Sequence, residues 1–203
     1  MITQTPLVID STKEDKTSEL FNPDTTGQYI RIERVDGLNR KAVALQVKEV
    51  VIPLNKEITK GIHSVSARFE KSNKYGSANA DVGIAKESFV ITCPCNIDAE
   101  ENYKSLLYYF GSTGKVYCKD RKIEPNSKFS DDQLITMELN ADLGTLHFFV
   151  DGIQQPAFVS GIKESVKFYY LLYQKDSSVT IVSVKQLSAP TIKKLANERA
   201  IYW

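Results

Sequence analysis

Three stretches hold residues whose types and spacing could do chemistry. The first is "GSTGKV", Gly111 to Val116, which has the look of a phosphate-binding loop. Such a loop needs Gly-x-x-x-x-Gly-Lys-Ser/Thr between a strand and a helix, with the hydroxyl serving a magnesium ion. Here Tyr109 stands five places before Gly114, Val116 follows Lys115, and a strand comes next, so the stretch reads as a hairpin turn. The second is "CPC". Cys93 and Cys95, with Cys118 and either His63 or His147, could ligate a soft metal. Structural zinc sites space paired cysteines roughly two to four residues apart, and Pro94 stiffens the turn between the thiols. The pair therefore reads as two small half-buried loop residues, and nothing in the sequence supports a redox role. The third set is the two histidines and the paired acids. His63 opens a strand after "KGI", and His147 lies mid-strand between Leu146 and Phe148. No Gly-x-Ser-x-Gly elbow and no His-Glu-x-x-His accompanies them. Asp131-Asp132 and Glu100-Glu101 are sequence neighbours in loop-like contexts. Neighbours on a strand face opposite sides, so neither pair is shaped for acid/base work. The chain is expected not to be an enzyme and to need no metal or cofactor.

Composition narrows the remaining classes. The 203 residues are 42% hydrophobic and 25% charged, which suits one domain with tails. Lys and Arg number 26 against 25 Asp and Glu, for a net charge of +1. That balance excludes the basic stripe that nonspecific nucleic-acid binding requires. Three cysteines are too few and too odd for a disulfide framework. "MITQTPLVIDSTKEDK" lacks the basic start and apolar core of a signal peptide. No apolar run is long enough to span a bilayer. A cytoplasmic setting is expected, with a nuclear one also compatible, and no membrane partner. No signature fixes an oligomeric state.

The elements that would position any site are strands. Tyr29 to Val35 alternates and ends in the Asp36-Gly37 turn signal. Ala42 to Val47 sets Val43, Leu45 and Val47 on one side, and Ser64 to Phe69 alternates. Val82, Ile84 and then Phe89 to Ile91 read as short strands. "SLLYYFG", "KVYC", "LITMEL", "KFYYLLYQ" and "SVTIVSVKQL" continue the series. In "DLGTLHFFVDGIQQP", Leu146, Phe148 and Val150 alternate with Thr145, His147 and Phe149, and Gly144 and Gly152 mark turns with positive φ. Short strands broken by Gly, Asn, Asp and Pro predict an all-β, two-sheet antiparallel sandwich. Two flanking segments differ. Residues 1–24 are polar, with Lys13 to Glu19 charged and loose. In 188–203, Ile192, Leu195, Ala196 and Arg199 recur at helical spacing, and Pro190 suits a first turn, which predicts a short helix over Thr191 to Ala200.

The order of segments within 25–187 resembles the SPRY domain, a concanavalin-like sandwich for protein interaction. The most specific stretch is "FSDDQLITMELNADLGTLHFFVDGIQQPAFVSGIKESVKFYYLLYQKDSSVTIV". It carries the Gly-Thr-Leu-x-Phe step, the Asp-Gly turn, an "AF-x-x-GI" segment and an aromatic-rich strand ahead of the closing one. "TTGQYIRIERVDG", "ITKGIHSVSARFE" and "ADVGIAKES" are similar to the family's first half. The family's usual aromatic after His63 is Ser64 here, and its Gly-Asp ahead of "LITMEL" is Asp131-Asp132. The chain reads as a divergent member.

The resemblance implies binding of a protein or peptide partner on edge loops, as part of an adaptor or complex subunit. By ungapped placement, the loop that contacts peptide in SPRY–SOCS-box proteins falls on Tyr173, Gln174 and Lys175, with the family's aromatic anchor at Gln174. A second contact falls near Asn96 and a third near Glu49, and none of these keeps the family's residue. A carbohydrate-binding sandwich is the alternative reading; it would want an open aromatic platform, and Trp203 is the only tryptophan.

Overall fold

A computed structural model describes residues 12–124 and 126–203. The strands in chain order begin with β1 (Lys13–Glu14), β2 (Ile30–Val35), β3 (Leu38–Ala44), β4 (Val50–Pro53), β5 (Ile62–Glu70), β6 (Asn73–Lys74), β7 (Ser77–Ala78) and β8 (Ala80–Lys86). One helical turn, α1 (Glu100–Tyr103), precedes β9 (Leu106–Phe110), β10 (Lys115–Cys118) and β11 (Arg121–Ile123). The second half holds β12 (Ile135–Asn140), β13 (Thr145–Val150), β14 (Ile153–Gln154), β15 (Ala157–Ser160), β16 (Val166–Leu172), β17 (Ser178–Leu187) and β18 (Arg199–Tyr202). Among the described residues no helix is long and apolar enough to cross a membrane.

Two large sheets stack as a sandwich. The larger runs β18-β15-β13-β12-β5-β17-β3-β2, with β1 beside β17 and β14 beside β13. The smaller runs β11-β10-β9-β8-β16-β4. Alternation decides which side chains meet between them. Ile135, Met137 and Leu139 of β12 and Leu146, Phe148 and Val150 of β13 point into one core with Val82 and Ile84 of β8 and Phe168 and Tyr170 of β16. The Asp36-Gly37 turn between β2 and β3 and the Asp151-Gly152 turn between β13 and β14 hold both residues at positive φ, as two-residue hairpins prefer.

The smaller sheet is buried on both faces, which explains why "KFYYLLY" has almost no polar alternation. Tyr169 and Leu171 of β16, Leu106 and Tyr108 of β9 and Ala85 of β8 form a second core on its outer side. The segment 87–105 covers that core with Phe89, Ile91, Cys95 and Ile97. Phe89 to Ile91 are thus not a strand, as the alternation suggested, but part of a covering loop whose apolar pegs here are Phe89 and Ile91. Likewise β3 stops at Ala44, so Leu45 and Val47 lie beyond it, and Ala42 and Ala44 are the residues that enter the core.

Residues 1–11 of the N-terminal segment lie outside the described residues, and what is described of the two flanking segments is tied down. The N-terminal residues Lys13 to Glu19 are not loose. β1 pairs with β17, and the Asp15 carboxylate accepts the amides and hydroxyls of Thr17 and Ser18 and the Lys56 ammonium. The C-terminal helix over Thr191 to Ala200 does not form. Thr191 donates its amide and hydroxyl to Glu138, and Lys193 and Gln154 exchange two 2.8 Å bonds. An extended course is what lets the chain reach β15, pair with it in parallel as β18, and bury Ile201. Local helical spacing loses to these tertiary bonds.

Under that strap lies His147. Its ring stacks on Phe158 with centroids 4.6 Å apart and planes 5° from parallel. Its cross-strand neighbour is Glu138. Burial disfavours the imidazolium and outweighs the attraction of Glu198, which lowers the His147 pKa from 6.5 to about 4. A depressed histidine pKa means that folding expels a proton. Its stability contribution is complete above pH 6.5 and is lost as pH falls toward about 4. Between pH 7 and pH 5 His147→Gln is expected to lose less of its urea midpoint than wild type does, while His63, lowered chiefly by burial, and the raised Asp81 and Glu49 carboxyls, which act in the opposite sense, contribute alike in both proteins. An equal slope in wild type and variant would contradict this account.

Candidate functional site

Because β16 runs antiparallel to both β4 and β8, Leu172 at its end lies opposite Val50 at the start of β4 and Ala80 at the start of β8. The loops entering and leaving these strands therefore converge at one end of the smaller sheet. They line an open cavity of about 600 Å³. Its wall is Val47, Lys48 and Glu49 before β4, Lys74 and Asn79 before β8, Pro94, Cys95 and Asn96 of the covering loop, and Tyr173 and Gln174 after β16. Of the residues expected from the sequence, Tyr173, Gln174, Asn96 and Glu49 share this wall. Lys175 follows in the same loop, exposed but outside the wall.

Each wall residue is held by its own loop. The Gln174 carbonyl accepts the Ser177 amide at 3.2 Å and the Ser177 hydroxyl at 2.6 Å, which closes the β16–β17 turn. The Glu49 carbonyl accepts the Cys95 amide at 3.0 Å, and the Glu49 carboxylate accepts the Ile97 amide at 3.1 Å. These bonds staple the covering loop to the strand entering β4. The Asn96 carbonyl accepts the Asn102 side-chain amide at 2.7 Å. Tyr173 packs on Phe110, with centroids 6.1 Å apart, and its hydroxyl donates to Asp81 Oδ2 at 3.1 Å.

Asp81 was not anticipated as part of this site. It alternates with the core residues of β8 and so lies on the outer face, fully buried beneath the covering loop. Its Oδ1 has no hydrogen-bond partner among the described residues. Burial first, then the nearby Glu49 and Asp98 charges, pushes the Asp81 carboxyl well above the usual carboxylate range, despite the Tyr173 bond. Burial and the same carboxyl keep the Tyr173 phenol strongly protonated, so it remains a donor. Burial also raises Glu49. The one signal in the sequence was a charged residue inside "ADVGIA", an otherwise apolar strand.

The other chemistry-bearing stretches lie elsewhere. "GSTGKV" is the β9–β10 hairpin, closed by Gly114 donating to the Phe110 carbonyl at 2.9 Å. Cys93, Cys95 and Cys118 are free thiols, and Cys93-Pro94 is a cis peptide. Burial pushes the Cys93 and Cys95 thiols up to about 11, so little thiolate forms at neutral pH. Among the described residues no three His, Cys, Asp or Glu side chains gather as a metal set would. Neither histidine lines the cavity: His63 bonds the Lys60 carbonyl at 3.0 Å, and the carboxylate beside His147 is engaged by Thr191. Asp131 accepts the Ser72 and Asn73 amides, which fits a turn-forming role.

Two mainly antiparallel sheets in this order, with the aromatic β16 between β8 and the edge strand β4 of the smaller one, give the chain the sandwich fold seen in SPRY domain structures. It is similar to the SPRY domain of human HERC1, with a TM-score of 0.58 and 13% identity over 81% of this chain and 94% of that one. It is equally similar to the TRIM65 PSpry domain, with a TM-score of 0.58 and 11% identity over 80% of this chain and 91% of that one. It also matches part of stonustoxin, with a TM-score of 0.54 and 16% identity over 81% of this chain and 27% of that one. No protein-family model matches the chain, and no curated protein sequence does.

Proposed function

We propose that the chain is a non-enzymatic protein-recognition module, an adaptor that docks a peptide or partner loop in the cavity between Glu49, Asn96, Tyr173 and Gln174. The observation that carries this reading is that three segments expected from the resemblance, at Tyr173-Gln174, Asn96 and Glu49, line one wall. Preformed concave sites with a few anchored polar groups suit peptide docking, since little ordering entropy is lost on binding. The SPRY-type architecture supports an interaction role in general. Trp203 fits the carbohydrate reading poorly. Its indole N–H donates to Glu164 at 2.7 Å, and Lys86 and Lys119 each stand 6.0 Å from its ring centre, so it is no open platform.

The double variant Tyr173→Ala, Gln174→Ala is expected to lower recovery of native partners in affinity purification by roughly 30-fold, as loss of an interface anchor does. Because Tyr173 covers Asp81, the variant's unfolding midpoint is measured alongside. Unchanged partner recovery by a folded double variant would place docking elsewhere.

A further inference from the structure

The charges around this cavity are unbalanced in one direction. Lys48 and Lys74 belong to its wall, and Lys175 follows Gln174 in the same loop. All three are exposed, and among the described residues none makes an ion pair. The acids of the site do not offset them. Glu49 is turned to the Ile97 amide, and Asp81 is sealed under the Tyr173 hydroxyl. Burial favours the neutral form of both. Asp98 and Asp176, the latter next to Lys175 in the chain, are exposed acids that lie outside the wall.

The wall is not simply basic. Val47, Pro94, Cys95 and Tyr173 give it an apolar side, and Val47 is 72% exposed. Next to Lys74, Tyr75 is 96% exposed at the tip of the β6–β7 hairpin, held at a φ of 56°. The two-residue β6–β7 hairpin takes positive φ at both Tyr75 and Gly76, and the Tyr75 ring stands in solvent at its tip. Lys74 Nζ lies 5.5 Å from the Tyr75 ring centre. No arginine fork lines the wall to grip a phosphate in two places, and a lone inorganic anion would leave most of 600 Å³ unfilled.

We infer that the cavity takes an acidic peptide segment, an apolar residue seated against Val47, Pro94 and Tyr173 with flanking carboxylates reaching Lys48, Lys74 and Lys175. This rests on the docking reading above and adds the chemistry of the partner to it.

The test is selection from a random library of peptides about twelve residues long, displayed on phage, against wild type and against K48E/K74E/K175E. The wild type is expected to enrich peptides carrying two or more Asp or Glu around an apolar residue. Their affinity should fall roughly tenfold or more between about 50 and about 500 mM salt, because exposed lysines are screened. The triple variant, whose substitutions are all at exposed side chains and should leave the unfolding midpoint in place, is expected to lose these peptides and enrich basic ones. Peptides of neutral or basic composition that need Tyr173 and Gln174 but ignore the triple substitution would overturn the acidic assignment and leave the docking site standing. Peptides that ignore Tyr173 and Gln174, or no enrichment at all, would overturn both. Displacement of the selected peptides by an equal concentration of a single-stranded RNA of about twelve nucleotides would also overturn the assignment, in favour of a polyanion site.

Discussion

Gly83→Ala is expected to cost the fold about 3 kcal/mol or more, a large fraction of the stability of a single domain. Gly83 sits in the middle of β8, between Tyr108 on β9 and Tyr169 on β16. A Cβ there would lie 1.9 Å from the Leu107 carbonyl oxygen and 2.9 Å from its carbon. The obstacle is backbone, not the end of a flexible side chain, so relief requires β8 and β9 to separate. They form the centre of the smaller sheet and carry both the inner core and the outer one. The cavity should fail with the sheet, because Asp81 and the strand that anchors Tyr173 flank the same ladder. Urea denaturation would check this, with Gly37→Ala as the contrast. Gly37 has open space around its would-be Cβ and only its φ of 83° to strain, so its expected loss is about 1 kcal/mol. Equal midpoints for the two variants would refute the close-approach argument.

Asp24→Ala is expected to destabilise by roughly 3 kcal/mol through a knot of hydrogen bonds. The buried Asp24 carboxylate takes the Thr26 hydroxyl at 2.6 Å and the amides of Thr26, Gly27, Tyr29 and Ile30 at 3.0, 3.1, 2.6 and 3.1 Å. These bonds shape the loop that delivers Ile30 into the core at the start of β2. Asp24→Asn should be nearly as harmful, since its NH2 would confront amide donors now shared by two oxygens. Burial alone would raise the Asp24 pKa, but the Thr26 hydroxyl and the Tyr29, Ile30 and Thr26 amides prevail and hold it at about 2 against an ordinary 3.8. A depressed carboxyl pKa stabilises above 3.8 and loses its effect as pH falls toward about 2. The wild type should lose stability over that acid window, and Asp24→Ala should lose correspondingly less. A variant with the full wild-type acid slope would show that Asp24 is not its source.

Much of the sandwich was legible because its signals are local. "LITMEL" and "TLHFFV" alternate, their turns carry Gly at positive φ, and both strands fall where the pattern put them. The failures are where tertiary bonds overrule local spacing. Ile192, Leu195 and Arg199 repeat as in a helix, yet Glu138 and Gln154 hold that stretch extended from strands far away in sequence. Phe89 and Ile91 looked like strand residues because an apolar residue covering a sheet from outside has the same composition as one within it. The loop positions of the site came from resemblance to a family, and the cavity they share depends on three strand ends meeting. Asp81 was hidden because its role comes from Tyr173, brought over it by the pairing of β8 with β16.

The closing strand has a meaning beyond packing. β18 completes the larger sheet by lying along β15, while the Tyr202 carbonyl at its end accepts Arg121 and the Cys118 thiol from the smaller sheet. An uncovered β15 would present a row of free amides and carbonyls, the template on which sheets of different molecules join. β18 takes over that edge as a strand of only four residues, and its ties through Tyr202 to the smaller sheet leave a shorter, anchored edge in place of β15.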